Sequence, residues 1–512
     1  MRTIERTLGD ETETERLGAD IAMALKPGDA VALKGNLGAG KTTLARGLIR
    51  HLANDPHHEV PSPTYTLCQT YEFGDITLSH FDLYRLGEAS EIEELGFGEA
   101  ADTGIVLVEW PERVDNYLQS GVLTIELSSH PACGRTAKIS GGDAALTARI
   151  ARSLAIRDFL DRSWSKGVER HFLQGDASTR RYETARLNRE TRVLMDSPRQ
   201  PDGPPVRAPT DEFSPYSQIA HLAEDVTAFV AVDDLLRLHG FAAPELFGKS
   251  INEGLLLCEY LGAEGILSVD GKPIADRYRD AARLLARIHA IDWPEEVNGE
   301  GGPGESYTHR IPSYDRGAIL IEVSLLADWY VPAMTEGELD AEQRAEFFAI
   351  WDRLAAMLAE TRTSLVLRDY HSPNLIWRAG EPFPVNIGLI DFQDALIGPA
   401  AYDVVSLAQD ARVDISPTLE QTIKSVYIEE MRGLSDYFDI ETFHRDYAIM
   451  AAQRATKILG IFVRLDRRDG KPGYLRHLPR LRDYLARSLS HPALAEYRKW
   501  LESIPGIGIA GS

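Results

Sequence analysis

A chain of 512 residues exceeds what one hydrophobic core supports, since cores stop growing near about 250–300 residues and longer chains divide, so two or three domains are expected. With 44% apolar, 8% aromatic and 26% charged residues the composition is that of a folded globular protein, which excludes disordered and fibrous classes. A formal charge of −23 repels phosphate backbones and argues against direct nucleic-acid binding, and three cysteines without a CxxC spacing exclude a disulfide framework or a paired thiolate zinc site.

The first thirty residues are too charged for a signal peptide, and the sequence shows no obvious apolar run of about 18 residues, so the expectation is a cytoplasmic protein that does not enter a membrane. Residues 14–25 predict a short amphipathic helix, and Pro27-Gly28-Asp29 is a turn before the apolar strand 30–34. Apolar strand-like runs recur at 76–81, 105–108 and 122–127 between helical or looped segments, the alternation of a small α/β domain with a mainly parallel sheet. Ser-Gly-Gly-Asp at 140–143 precedes a helical pattern over 144–162, which places a boundary near residues 145–150 and predicts domains at 1–145 and 150–505. The second domain opens with strands at 172–176, 182–187 and 192–196. A Pro-rich stretch at 197–215 then reads as an exposed loop, and from Tyr216 helical periodicity dominates, interrupted by strand-like runs at 254–261, 365–367 and 387–391.

Gly35-Asn36-Leu37-Gly38-Ala39-Gly40-Lys41-Thr42 fits GxxxxGK[ST] between a strand and a helix, with Thr43 following. The glycines let backbone N–H groups close around phosphates, Lys41 reaches the β and γ oxygens, and Thr42 can ligate magnesium. Asp82 and Glu109 each end an apolar strand. At the carboxyl edge of a parallel sheet one such carboxylate can hold magnesium and another can position water.

The segments LGAGKTTLARGL, SPTYTL, HFDLYRL, IEELGF and LVEWPERV resemble, in order, those of the TsaE family, the ATPase subunit of the machinery that makes threonylcarbamoyladenosine on tRNA. The resemblance implies that Thr42 and Asp82 coordinate Mg2+, that Glu109 is needed for hydrolysis, that Thr64 to Thr66 form a switch-like loop near the γ-phosphate, and that Trp110 is a functional neighbour, with core packing as its alternative. The implied partners are the threonylcarbamoyl-transferase complex subunits.

Further on, Asp369 and Asn374 lie five residues apart after an apolar strand, and Asp391 follows 17 residues later at the end of another. This is the spacing of a protein-kinase-like fold, in which Asp369 accepts the substrate hydroxyl's proton while Asn374 and Asp391 hold Mg2+ on the ATP phosphates. Upstream, Gly175 to Tyr182 reads as a nucleotide hairpin with one glycine, so the Ser178 and Thr179 hydroxyls, backbone N–H groups and an arginine would cover the phosphates. No lysine occupies the usual β3 position in 192–196, leaving Arg180, Arg181 or Arg192 as substitutes or a weakened site. Glu259 to Leu261, after an apolar run, would be the adenine-contacting hinge. His371 is either a proton relay or, by preference, a loop histidine bonded to backbone.

GDASTRRY, VLMD, RDYHSPNL, IDFQDALIGPAAYDVVSL and KILGIFVRLDRRDGKPGYLRHLPR resemble the aminoglycoside-phosphotransferase superfamily, and within it the cell-wall amino-sugar kinases (AmgK) that phosphorylate N-acetylmuramate and N-acetylglucosamine at the anomeric hydroxyl. The resemblance implies an α+β bilobal kinase-like domain, a small-molecule amino sugar as substrate, and Asp403 as a structural support of the catalytic loop. Kinases for choline, homoserine or aminoglycosides remain alternatives, as does a nucleotide-binding regulatory module with a pseudokinase half.

Overall fold

The computed structural model describes residues 3–509 except 115–116, 119–120, 131–133, 174–179, 211–212 and 336. The chain divides into two compact units, residues 1–176 with 182–191, and residues 177–181 with 192–512.

In the first unit, strands β1 (Ile4–Leu8), β2 (Ala30–Lys34), β3 (Cys68–Phe73), β4 (Ile76–Asp82), β5 (Ile105–Glu109), β6 (Leu123–Ser129) and β7 (Arg135–Gly141) form one sheet in the order β1-β7-β6-β2-β5-β4-β3. The middle four strands pair in parallel, and antiparallel strands flank them on both sides. Val31, Leu33, Ile105 and Leu107 are fully buried, which is why β2 and β5 read as unbroken apolar runs and not as alternations.

Helix α1 (Glu11–Ala22) starts at Asp10, whose carboxylate accepts the Glu13 N–H at 2.8 Å, with Glu11 and Glu13 complementing the helix dipole. These capping signals place the helix about one turn earlier than its apolar periodicity suggested. Helix α2 (Lys41–Ala53) lies close against it. A Cβ on Gly18 would stand 2.2 Å from the Leu44 carbonyl, and one on Gly47 would stand 2.0 Å from that of Glu15, so only glycine permits this approach. Short helices α3 (Glu91–Glu94) and α4 (Phe97–Thr103) connect β4 to β5, and α5 (Ala144–Ser163) follows β7.

The hairpin β8 (Glu169–Leu173) and β9 (Arg181–Leu187) belongs to this unit through buried charges. Arg170 donates to Glu183 at 2.8 and 2.9 Å and to Asp20 at 2.9 Å, while Arg157 reaches both oxygens of the same Asp20 at 2.8 and 3.0 Å. The strand expected at 172–176 is therefore centred earlier, and its last three positions lie outside the described residues.

In the second unit β10 (Glu190–Asp196), within which the division between the units falls, pairs antiparallel with a later strand. The stretch read as a loop holds a short hairpin, β11 (Pro205–Arg207) with β12 (Phe213–Pro215), and Ala208 is buried beside Ile219, Ala220 and Ile321; proline terminates the strands where no ladder N–H is needed. Helices α6 (Tyr216–Ile219) and α7 (Thr227–Leu238) follow, then β13 (Leu246–Ser250) and β14 (Leu255–Glu259), the partner of β10. After α8 (Ala275–His289) comes a glycine-rich hairpin absent from the sequence reading, β15 (Glu296–Gly302) with β16 (Glu305–Arg310).

Helices α9 (Arg316–Leu325) and α10 (Val331–Thr335) join through a π turn at Leu326–Tyr330 into one apolar segment. Arg316–Thr335 is long and apolar enough to span a membrane, contrary to the sequence expectation that no such run exists, yet 67% of its most apolar window is buried inside the protein, as in a core helix. Helix α11 (Ala341–Ala359) leads into four short strands, β17 (Thr363–Val366), β18 (Leu375–Trp377), β19 (Ile387–Leu389) and β20 (Leu396–Pro399), paired β17–β20 and β18–β19. Helices α12 (Ala401–Ala408), α13 (Pro417–Leu434), α14 (Ile440–Arg467), α15 (Leu478–Ser488) and α16 (Ala495–Glu502) complete the unit.

Removing Asp20 leaves two buried guanidinium groups short of their shared partner, and breaking such pairs costs about 3–5 kcal/mol. Asp20→Ala is expected to lower the stability of the first unit by that order, read as an earlier transition in urea unfolding of the full chain.

Candidate functional sites

The register of the parallel sheet builds the first site. Asp82 lies beside Glu109 on β4 and β5, and Leu33 of β2 pairs with Glu109, so both carboxylates emerge at the strand end from which the loop to α2 departs. Both are almost fully buried, at 3% and 2% exposed. They line a cavity of about 290 Å³ with Leu37 to Thr43, Ser62, Thr64, Tyr84, Trp110 and Arg135.

Helix α2 begins at Gly40, in the left-handed region at φ 104°, with no side-chain cap. Its first N–H groups therefore face the cavity with the positive end of the helix dipole, the arrangement that binds phosphate. Lys41 donates to the carbonyls of Gly35 at 2.8 Å and Asn36 at 3.2 Å, and its ammonium lies 3.8 Å from the centre of the Trp110 ring. Burial pulls the Lys41 ammonium below its ordinary value, against Glu109, Glu112 and Asp82, which favour the charge. Trp110 lines this cavity and also packs against the apolar cluster around Phe81, Val106 and Val108, with its backbone in the left-handed region at φ 59°.

Glu109 is held from two sides: Thr42 Oγ1 donates to Oε2 at 3.1 Å, and the buried His80 Nε2 meets Oε1 at 3.1 Å. Ser62 and Thr64 each donate to Asp82 Oδ2 at 2.7 Å, and the Tyr84 N–H donates to Oδ1 at 3.1 Å. Of the loop expected near the γ-phosphate, Thr64 enters the cavity and Thr66 is exposed outside its lining. His80, Ser62, Tyr84 and Arg135 carried no role in the sequence reading. A histidine inside a strand buried on both faces was the available signal for His80.

The second site forms where β17 runs into its loop. Arg368, in the left-handed region at φ 69°, turns the chain, and Asp403 fixes that turn by accepting the N–H groups of Leu367 at 2.6 Å and Arg368 at 2.9 Å. Asn374 Nδ2 donates to the Asp369 carbonyl at 2.9 Å and stands 3.4 Å from Asp391 Oδ2. Arg180 donates to Asp391 Oδ1 at 3.2 Å and lies 3.7 Å from Asp394. Arg192 instead stacks on Phe247, 3.7 Å from the ring centre, and Arg181 is exposed at the start of β9, so of the three candidate substitutes Arg180 meets the acidic cluster. Ser178 and Thr179 lie outside the described residues. Glu259 ends β14, bonded to Glu245, and Leu261 packs toward Gly388 of β19.

Burial pushes the Asp369 carboxyl up, but His371, Lys457, Arg454 and Arg368 outweigh it and hold it below the ordinary carboxylate range. Asp391 is raised by burial and by the neighbouring charge of Asp369. Burial lowers His371 from its ordinary value, and Nε2 accepts from Arg412 at 2.8 Å; the ring partner is this side chain and not the backbone expected.

Beneath the loop, Glu322 of α9 is buried completely. It accepts from Lys457 at 2.6 Å, from Tyr314 and Gln453 at 2.7 Å each, and from Arg368, whose other arm donates to the Ala220 carbonyl at 3.0 Å.

Hydroxyl and carboxylate oxygens at Thr42 with Asp82, and amide and carboxylate oxygens at Asn374 with Asp391, are the hard donors that suit Mg2+, which takes one or two protein ligands beside phosphates and water. Among the described residues no group of three or more His, Cys, Asp or Glu side chains is placed to cage a metal by itself.

The fold and these two sites define a nucleoside-triphosphate-binding P-loop unit joined to a phosphotransferase. The family model for threonylcarbamoyl adenosine biosynthesis protein TsaE matches residues 8–137, and that of the phosphotransferase enzyme family matches residues 169–437. The chain belongs to both families, a TsaE segment followed by a phosphotransferase. An N-acetylmuramate/N-acetylglucosamine kinase of Caulobacter vibrioides is 33% identical over 364 residues, 70% of this chain and 98% of that protein. A tRNA threonylcarbamoyladenosine biosynthesis protein TsaE of Rickettsia felis is 42% identical over 120 residues, 23% of this chain and 70% of that protein. A microcompartment-associated aminopropanol kinase of solved structure is 14% identical, with a TM-score of 0.42, covering 65% of this chain and 96% of its own.

Burial raises the Glu322 carboxyl, while Lys457 and Arg368 draw it down to about 2 from an ordinary 4.5. Because the folded-state value is depressed, its stabilisation is present in full above pH 4.5 and is lost as pH falls through about 2. Glu322→Gln is expected to cost the second unit about 3–5 kcal/mol at neutral pH and to flatten the acid dependence in that window, measured by urea unfolding at stepped pH.

Proposed function

We propose that the chain is bifunctional: its first unit hydrolyses ATP in support of threonylcarbamoyladenosine formation on tRNA, and its second transfers the γ-phosphoryl group of ATP to the anomeric hydroxyl of N-acetylmuramate or N-acetylglucosamine in cell-wall recycling. The observation that carries the kinase half is the convergence of Asp369, Asn374 and Asp391, with Asp369 kept ionised beside a cavity of about 150 Å³.

In the second unit Asp369 takes the proton of the sugar hydroxyl as that oxygen attacks phosphorus, and Arg180 lies where it can neutralise phosphate charge. Asn374 and Asp391 would hold Mg2+, which supplies charge neutralisation on the phosphate oxygens. In the first unit the loop from Gly35 to Thr43 grips the phosphates, Thr42 and Asp82 would hold Mg2+, and Glu109, oriented by His80, positions water. The threonylcarbamoyl-transferase subunits are the partners in this reading, the setting is the cytoplasm, and no direct grip on nucleic acid or membrane is needed. The functional parts in this reading are residues 1–145 and 150–505, although α5 and the hairpin of β8 and β9 pack with the first compact unit and not the second.

The test is ADP release by the full chain with ATP and magnesium over a panel of N-acetylmuramate, N-acetylglucosamine, choline and kanamycin. Amino-sugar-dependent release that drops about 10²–10⁴-fold in Asp369→Asn is the expected result, in keeping with the loss of a general base. Stimulation by choline or kanamycin alone would reassign the substrate. Glu109→Gln is expected to lower sugar-independent hydrolysis, assayed with the transferase subunits present, and to leave sugar phosphorylation unchanged.

A further inference from the structure

A further cavity in the second unit lies apart from the catalytic residues. It holds about 270 Å³, far above the roughly 10–15 Å³ that admits one water, and its wall includes none of Asp369, Asn374, Asp391 or Arg180. It forms where the start of β17, the end of α13 and the first two turns of α14 meet.

The lining combines aromatic rings with carboxylates. Tyr427 and Phe443 stack with ring centres 5.1 Å apart, and Phe438 lies 5.6 Å from Phe443. Three acids join them, Glu360, Asp439 and Asp446, against one cation, Arg362, whose guanidinium is paired with Asp292 at 2.9 Å. Asp439 has a structural duty, since its carboxylate caps α14 by accepting the Glu441 N–H at 3.0 Å and the Thr442 hydroxyl at 2.6 Å. Asp446 differs. It is 1% exposed, its Oδ1 accepts from Arg445 Nε at 3.0 Å, and its Oδ2 is buried without a hydrogen bond. Ser364, 5% exposed, adds a hydroxyl that is likewise buried and unbonded. Buried polar atoms are normally bonded, so these two mark where a ligand's polar group belongs.

The cavity also backs onto the catalytic loop. Ser364 lies on β17, which runs into that loop and reaches Asp369 five residues later. His289, another wall residue, stands with Nε2 3.6 Å from Asp403 Oδ2, the carboxylate that fixes the turn at Arg368, while its Nδ1 faces the Tyr427 hydroxyl at 3.0 Å.

We propose that this cavity binds a small primary ammonium ion with an apolar body, its N–H groups donating to Asp446 and its body lying against Phe438, Phe443 and Tyr427. Ring faces and carboxylates both attract a cation, and an N–H donor supplies the bond that Asp446 Oδ2 lacks. An anion would meet three negative charges. A ligand held there touches the support of the catalytic loop without meeting Asp369.

The experiment is calorimetric titration of the full chain, without nucleotide, with cyclohexylammonium as the probe and cyclohexanol as its uncharged counterpart. The ammonium is expected to bind at least about 10-fold more tightly than the alcohol, the size of one charge-assisted hydrogen bond. Asp446→Asn should weaken it by about 10- to 100-fold, and Phe438→Leu, which keeps apolar bulk but loses the ring, by about 2- to 10-fold. Asp369→Asn should bind the probe as the wild type does. Circular dichroism checks folding, and if Asp446→Asn does not fold, Phe438→Leu decides. Absence of binding to the wild type, equal binding of the alcohol, insensitivity to either folded cavity variant, or a loss in Asp369→Asn would each overturn the assignment.

Discussion

A charge taken out of water costs several kcal/mol unless other charges and hydrogen bonds replace its solvation, and both sites in this chain are built around that constraint. Phosphate chemistry needs ionised carboxylates, and a dry interior pushes carboxylates toward neutrality. In the second unit four donors converge on Glu322, two of them cationic, and through Arg368 the same network fixes the residue next to Asp369. The Asp369 carboxylate therefore inherits a positive surrounding that includes Lys457 and Arg368, whose own cost of burial Glu322 offsets. Asp403 contributes through hydrogen bonds instead, by taking two backbone N–H groups that a left-handed turn at Arg368 would otherwise leave without partners.

The first unit meets the same constraint with fewer ions. Glu109 is held by a hydroxyl and an imidazole, and Asp82 by two hydroxyls and a backbone N–H. Lys41, with carbonyls around it and the Trp110 ring face beneath it, keeps a cation in place before any phosphate arrives. Hydroxyls and a backbone N–H hold Asp82 without cancelling its charge. That suits a site whose ligand brings several negative charges and a metal of its own.

What could be read from the sequence was what depends on short-range spacing. The loop from Gly35 to Thr42 is contiguous, Asp369 and Asn374 are five residues apart, and Asp82, Glu109 and Asp391 follow apolar runs that mark strand ends. Strands β2 and β5 were legible because burial on both faces makes them almost continuously apolar, and β4 because apolar residues dominate it despite Ser79 and His80. The hairpin of β15 and β16 was not, because Glu-Val-Asn-Gly-Glu-Gly-Gly has the turn residues of a loop and gains its strand form only by pairing. Residues that act through tertiary proximity were silent for the same reason. Nothing local to His80, Arg412 or Arg454 shows what faces it, since their partners lie 29, 41 and 86 positions away.

The missing lysine illustrates how far a motif can move when its chemistry is conserved in kind. A lysine on the strand after the hairpin presents a point charge from within a sheet, and here Arg192 on that strand is spent on the face of Phe247. Arg180 precedes β9, and from there it reaches Asp391 and lies close to Asp394 on the far side of the cleft. A guanidinium spans two carboxylates at once where an ammonium would choose one, and Arg180 stands within reach of both Asp391 and Asp394 without adding a buried charge to the sheet.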